Sequence, residues 1–117
     1  MTYVADLQSV KSKLETHVGE SQECVAAVKS LAGTGPTWNW RKGKQVKGNT
    51  TIREGTAIAT FREDNTYYGH AAIYIRQSSN AIHVYDQWVG RPLREREIVF
   101  KGFGYVSNDG EQFYAIE

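Results

Sequence analysis

Gly69-His-Ala-Ala-Ile-Tyr-Ile75, the cluster Gln77-Ser-Ser-Asn80 and the run Ala81-Ile-His-Val-Tyr-Asp-Gln-Trp88 decide the fold. Both apolar runs are rich in β-branched and aromatic residues, and only small polar residues separate them. That pattern predicts two antiparallel strands, 70–77 and 80–88, joined by a tight turn. Further strands follow on either side. Gly55 leads into Thr56 to Phe61, Pro92 interrupts before Glu95 to Phe100, and Asn108-Asp-Gly110 turns the chain into Phe113 to Ile116. Before residue 55 the period changes. Tyr3, Leu7, Val10 and Leu14 recur at helical spacing, with Gly19 as a stop. Ser21 is then placed to cap a second helix from about Gln22 to Ala32, on which Cys24, Val28 and Leu31 share one face. A short turn of helix is expected around Trp38 to Lys42. Two helices followed by about five strands predict an α+β domain, its helices packed on an antiparallel sheet.

The chain of 117 residues suits a single domain spanning 1–117. No apolar run approaches the roughly 18 residues that a membrane-spanning helix needs. The start, Met-Thr-Tyr-Val-Ala-Asp, lacks a basic segment followed by an apolar core, so synthesis in the cytoplasm without a signal peptide is expected. One cysteine excludes an internal disulfide framework and a multi-cysteine zinc cluster. The net charge of +1 excludes a polyelectrolyte role for the whole chain, yet Lys29, Arg41, Lys42, Lys44, Lys47 and Arg53 fall in a stretch without an acid. Such a stretch is ordinarily a solvated loop that can steer anionic ligands. Nucleic-acid binding would rest on it alone, with Trp38 and Trp40 as stacking partners or as part of a small core.

Three positions carry candidate chemistry. Under the Ser21 cap, Cys24 is the third helical residue, where unpaired amides and the positive end of the helix dipole favour a thiolate. A buried cysteine acting as a small hydrophobe suits the same place. His70 opens a strand after Gly69 and projects from the end of the sheet, where a general base could reach a helix-borne thiol. His17 and His83 lack such a setting. In the hairpin, one register sets His70 opposite Asp86, and a slip of two sets it opposite Trp88 with Asp86 diagonal on the same face. The odd register between them sets Gln87 opposite His70. Asp86 is the preferred partner, because a carboxylate stabilises an imidazolium better than an amide does, and Gln87 stays open as the alternative. Zinc held by Cys24, His70 and Asp86 or His83 would lack the close-spaced ligand pairs usual for such sites, so no metal is assigned.

A Cys at a helix start, a strand opening Gly69-His70 and a strand ending in polar residues together resemble the NlpC-type and CHAP cysteine peptidases, which are papain-like. More closely, Ser21-Gln-Glu-Cys-Val-Ala-Ala-Val28, Gly55-Thr-Ala-Ile-Ala-Thr-Phe61, Gly69-His-Ala-Ala-Ile-Tyr74 and Tyr85-Asp-Gln-Trp88 resemble the second family of type VI secretion amidase effectors, together with immune enzymes of ticks. The resemblance implies a nucleophile at Cys24 and a base at His70. It implies hydrolysis of peptidoglycan peptide crosslinks between meso-diaminopimelate and D-alanine, without metal or organic cofactor. It further implies a monomeric antibacterial effector, delivered by a secretion system to the target-cell periplasm and paired with a cognate immunity protein. Trp38, Tyr68 and Trp88 are the expected substrate-binding side chains. The rival reading is a non-catalytic cell-wall or glycan-binding module, in which Trp38, Trp40, Trp88 and the Tyr67-Tyr68 pair stack on sugar or peptide and Cys24 is buried.

Overall fold

The computed structural model describes residues 2–117. Its elements are α1 (Leu7–Lys11), α2 (Cys24–Ala32), β1 (Lys42–Gln45), β2 (Ala57–Phe61), β3 (Tyr67–Gln77), β4 (Ala81–Trp88), β5 (Arg91–Val99) and β6 (Phe113–Ile116). The strands form one antiparallel sheet in the order β1-β6-β2-β3-β4-β5. Among the described residues, no helix is long and apolar enough to cross a membrane.

The sheet has six strands where the sequence suggests about five. The additional strand is β1, in the Gly- and Lys-rich stretch expected to hold a turn of helix from Trp38 to Lys42. That turn is shorter, a single 3-10 turn at Thr37–Asn39. Beyond it, Arg41 and Glu117 exchange backbone hydrogen bonds at 2.6 and 2.7 Å, laying Lys42–Gln45 along β6. A partner more than 70 residues away in sequence outweighs a weak local preference.

The first helix is shorter than its apolar stripe predicts, for a similar reason. The Ala5 amide donates to the Gly55 carbonyl and the Ala57 amide to the Tyr3 carbonyl, both at 2.8 Å, so residues 3–5 run extended beside β2. Asp6 then caps a helix of five residues. Gly19 does not stop that helix. It lies in the loop leading to α2 at φ +94°, where a Cβ would stand 2.4 Å from the Ala26 carbonyl oxygen, so glycine lets this loop lie against the helix. The second helix also starts later than expected. Glu23, not Ser21, is its N-cap residue, and Ser21 Oγ accepts from the Glu23 amide at 3.3 Å. Cys24 is therefore the first helical residue rather than the third.

Strand β5 begins at Arg91 and runs through Pro92. Its place at the sheet edge makes the missing amide harmless, and Leu93 pairs outward with Glu15 and Thr16 at 2.9 Å.

Alternation sorts the side chains into two cores. Ala57, Ala59, Ala71 and Ile73 pack with Ala27, Val28 and Trp40 on the α2 side. Alanines there keep the sheet surface low, so the helix backbone approaches closely. Ile58, Ala72, Tyr74, Ile82, Val84, Ile98 and Phe113 fill the other face, covered by Ile52 and Phe100.

Candidate active site

The β3–β4 pairing sets the site. Ile73 pairs with Tyr85 and Tyr74 with Val84, and the register then slips by one between Tyr74 and Arg76 on the way to the turn. Continued from Ile73 toward the start of β3, this pairing sets His70 opposite Trp88 with Asp86 diagonal on its face. The two side chains meet: His70 Nε2 lies 2.8 Å from Asp86 Oδ2. Both are almost fully buried, at 5% and 1% exposure. Gly69 makes this placement possible. It adopts φ +108°, and a Cβ there would collide with Val106 and Thr60. The Thr60 hydroxyl in turn accepts the His70 amide at 3.0 Å and donates to the Tyr68 carbonyl.

Gln87 points to the opposite face and does not meet His70. Its amide oxygen accepts from the Val18 amide at 2.8 Å. Its nitrogen donates to the carbonyls of Val18 at 2.9 Å, Glu23 at 3.0 Å and Ser21 at 3.4 Å. The fully buried amide thus pins the segment from which α2 and Cys24 emerge.

Cys24 at the first helical position sits among amides that have no intrahelical acceptor, at the positive end of the α2 dipole. Burial pushes the thiol up. Hydrogen bonding to His70 and the charge of its ring, followed by the Ala71 amide and the Tyr67 hydroxyl, outweigh this and hold the thiol below its ordinary range. His70 moves the other way. Burial opposes its protonation, yet the Asp86 hydrogen bond, followed by the Cys24 thiol, raises it to about 9. With Nε2 committed to Asp86, Nδ1 is the ring nitrogen left for the thiol. The two shifts together favour a thiolate–imidazolium pair at neutral pH.

Asp86 is held by more than His70. Arg96 donates to Oδ2 through Nε at 2.9 Å and Nη2 at 2.7 Å, and Arg91 Nη1 reaches Oδ1 at 3.1 Å. Burial pushes this carboxyl up, but His70 and Arg96 keep it below the usual carboxylate range. Both guanidinium groups lie over the Trp88 ring, at 4.3 Å for Arg91 and 5.3 Å for Arg96. Arg96 also donates to the Ser107 carbonyl at 3.0 Å, tying the loop after β5 to the site. Sequence reasoning missed both arginines, because no local pattern marks which of the charged residues around Pro92 turn toward a buried carboxylate. It gave Tyr67 only a stacking place in the rival reading and missed that its hydroxyl lies 3.7 Å from Cys24 Sγ.

Clefts open at His70 and at Tyr67, the two side chains that meet the thiol. One of about 520 Å³ is lined by Tyr68, His70, Tyr105 and Ser107, and a neighbouring one of about 370 Å³ by His70, Trp88, Arg96 and Tyr105. A third, of about 440 Å³, lies against Tyr67 and is lined by Trp38, Trp40, Arg62 and Asp64. The three aromatics expected to bind substrate thus stand in different clefts. Trp40 belongs to the core, whereas Trp38 is 83% exposed. The basic stretch is dispersed: Lys29 pairs with Glu20, Lys47 with Glu111, and Lys42 lies over Tyr114. Lys44 and Arg53 line a separate hollow that shares no residue with these clefts. Among the described residues, no three His, Cys, Asp or Glu side chains cluster as metal ligands would.

Residues 2–116 match the family described as Domesticated amidase effector 2. The chain is 42% identical over 103 residues to the domesticated amidase effector 2 of Ixodes scapularis, covering 84% of this chain and 72% of that protein. It is 35% identical over 101 residues to a type VI secretion amidase effector 2 protein of Salmonella typhi, covering 80% and 76%. A solved type 6 secretion amidase effector 2 superposes with a TM-score of 0.82 at 26% identity, covering 97% of this chain and 93% of that one. The chain belongs to the family of domesticated amidase effector 2 and type VI secretion amidase effector 2.

Proposed function

We propose that this chain is a cysteine amidase that hydrolyses peptidoglycan peptide crosslinks of the meso-diaminopimelate–D-alanine type. The observation that carries the proposal is Cys24 at the start of α2, coupled to a His70 ring that the buried, arginine-held Asp86 fixes at 2.8 Å. The thiolate attacks the amide carbonyl and the π electrons move to oxygen. The Cys24 backbone amide, free at the helix start, hydrogen-bonds the oxyanion. His70, protonated on Nδ1, gives that proton to the leaving amine. It then takes a proton from the water that hydrolyses the thioester. Asp86 fixes the tautomer and offsets the imidazolium charge.

Trp38 in one cleft and Tyr68 and Trp88 in the others supply faces for the two halves of the crosslink. The order of thiol, imidazole and acid along the chain supports a place among the papain-like NlpC-type and CHAP peptidases. The relatives named as type VI secretion effectors support an antibacterial protein delivered by a secretion system to the target-cell periplasm. Such a protein acts as a monomer, with a cognate immunity protein as partner.

The test incubates purified Gram-negative sacculi with the chain and with Cys24→Ala, and identifies released muropeptides by mass spectrometry. Crosslinked dimers should disappear with the unmodified chain alone, at least 10³-fold faster than with the variant. Release by Cys24→Ala at the full rate would refute the proposal. Sacculus binding without release, with Cys24 inert to iodoacetamide in the native state, would instead establish the wall-binding reading.

A further inference from the structure

Tyr67 opens β3, three residues before His70, and its hydroxyl has Cys24 Sγ as hydrogen-bond partner at 3.7 Å. The ring is fixed. Trp40 meets it edge-on at 5.0 Å and 72°, and Trp40 is itself buried, with Nε1 bonded to the Gly35 carbonyl at 3.0 Å. Tyr67 lines the Trp38 cleft, whereas His70 lines the two clefts beyond it. The thiol thus has both its base and a fixed phenol as partners.

We propose that the Tyr67 hydroxyl is a catalytic residue, the side-chain donor that completes the oxyanion site begun by the Cys24 backbone amide. The inference rests on Cys24 as the nucleophile. In the resting site its partner, at 3.7 Å, is sulfur, a weaker hydrogen-bond partner than oxygen. When sulfur bonds to the carbonyl carbon, the carbonyl oxygen enters the space beside sulfur and gains negative charge there. A donor that is slack in the ground state then tightens on the transition state, which is the condition for raising kcat. Electrons and protons balance without Tyr67 giving up its proton. The C=O π pair moves to oxygen, Tyr67 only donates a hydrogen bond, and collapse restores the carbonyl while the leaving amine takes the His70 proton. Burial, followed by the charges of Cys24 and Glu23, pushes the phenol well above its ordinary range, so it stays a donor throughout. The Trp38 cleft then receives the acyl half of the substrate, and the His70 clefts receive the leaving amine.

Tyr67→Phe keeps the ring and its contact with Trp40. It should lower kcat about 10²–10³-fold, the usual cost of one oxyanion donor, with KM little changed. Alkylation of Cys24 by iodoacetamide forms no oxyanion; losing Tyr67, the smallest of the groups that hold the thiol down, should move its pH midpoint up only slightly and slow it less than threefold, which also certifies the folded site. A peptide aldehyde, which forms a hemithioacetal, should bind the variant at least tenfold more weakly. Retention of kcat within threefold overturns the inference. So does alkylation at high pH slowed as far as kcat, because Tyr67 would then act through the thiolate and not on the oxyanion. Loss of activity in Cys24→Ala with full activity in Tyr67→Phe sinks this inference alone. Full activity in Cys24→Ala sinks the nucleophile assignment beneath it.

Discussion

Replacing Asp86 by Asn tests the site most sharply, because volume is kept while charge is lost. The side chain has no exposed surface, and its ionic partners are His70, Arg91 and Arg96, with side-chain exposures of 7%, 14% and 17%. Removing one member of a buried ion pair ordinarily costs about 3–5 kcal/mol. The low end applies here, since the arginines keep carbonyl acceptors at Asp86 and Ser107 and their stacking on Trp88. A loss of about 3 kcal/mol against a typical stability of about 5–15 leaves the variant folded. At about 4 °C per kcal/mol for a chain of this size, its Tm should drop by about 12 °C. Chemistry suffers separately. An Asn amide donating to Nε2 leaves the ring proton on Nδ1, facing the thiol, and the base cannot then accept the thiol proton. Muropeptide release should fall by one or more powers of ten, with ~10⁴-fold the extreme measured for a comparable triad. Losing the Asp86 hydrogen bond and charge also lets the His70 pKa fall from about 9, so the alkaline limb of the pH profile should move down. The stability difference from the unmodified chain should shrink in acid, because a carboxyl held low in the fold contributes stability above its unfolded pKa and loses it as pH falls through the folded one. Activity within threefold and an unmoved alkaline limb would refute the orienting role.

The remaining expectations follow from the same geometry. The kcat/KM profile should be bell-shaped, its acid limb set by Cys24 below the ordinary thiol range and its alkaline limb by His70 near pH 9; an alkaline limb at pH 6.5 would show an imidazole without its carboxylate. Thermal melts should show the same imidazolium stabilising the fold fully below about pH 6.5 and ceasing to do so through about 9. Gln87→Ala strands buried backbone groups of Val18 and Glu23, so it should lower stability by about 1–3 kcal/mol and reduce kcat by loosening the entry to α2; unchanged melting would show that water replaces the amide freely. Replacing Lys42, Lys44 and Lys47 together by Gln should raise KM and flatten the salt dependence with kcat little changed, since none lines a cleft at His70; a large loss of kcat at saturating substrate would place one of them in the site.

What the sequence discloses and what it hides divide along physical lines. The β3–β4 hairpin is legible because period-two alternation and a turn cluster agree locally, and Gly69 before His70 marks a strand start where backbone and side chain need room. The choice between Asp86 and Gln87 is not legible. A slip of one residue exchanges the faces, and the slip lies between Tyr74 and Arg76, where nothing local announces it. Strand β1 and the short α1 are hidden because each is set by backbone partners distant in sequence, Glu117 for one and Gly55 for the other. The helix stripe from Tyr3 to Leu14 still reports correctly that Tyr3, Leu7, Val10 and Leu14 face the core. It fails to report that Tyr3 arrives extended and that Leu14 lies beyond the end of α1 at Lys11.

The arginines explain how so buried a charge group coexists with a stable fold. Desolvating Asp86 and an imidazolium together is costly, and one ion pair in low dielectric seldom offsets that cost. Here the carboxylate takes two guanidinium groups besides His70, and those groups cover their own faces on Trp88 and reach carbonyls at Asp86 and Ser107. The same arrangement limits His70. Arg96 and His70 share Oδ2, so each hydrogen bond Arg96 donates to that oxygen leaves it a weaker acceptor for the imidazolium. Under the proposed function, this sharing of Oδ2 tempers the hold of Asp86 on the imidazolium, which must give its proton to the leaving amine. Because Arg96 also grips Ser107, the wall of the His70 cleft and the acidity of His70 depend on one side chain.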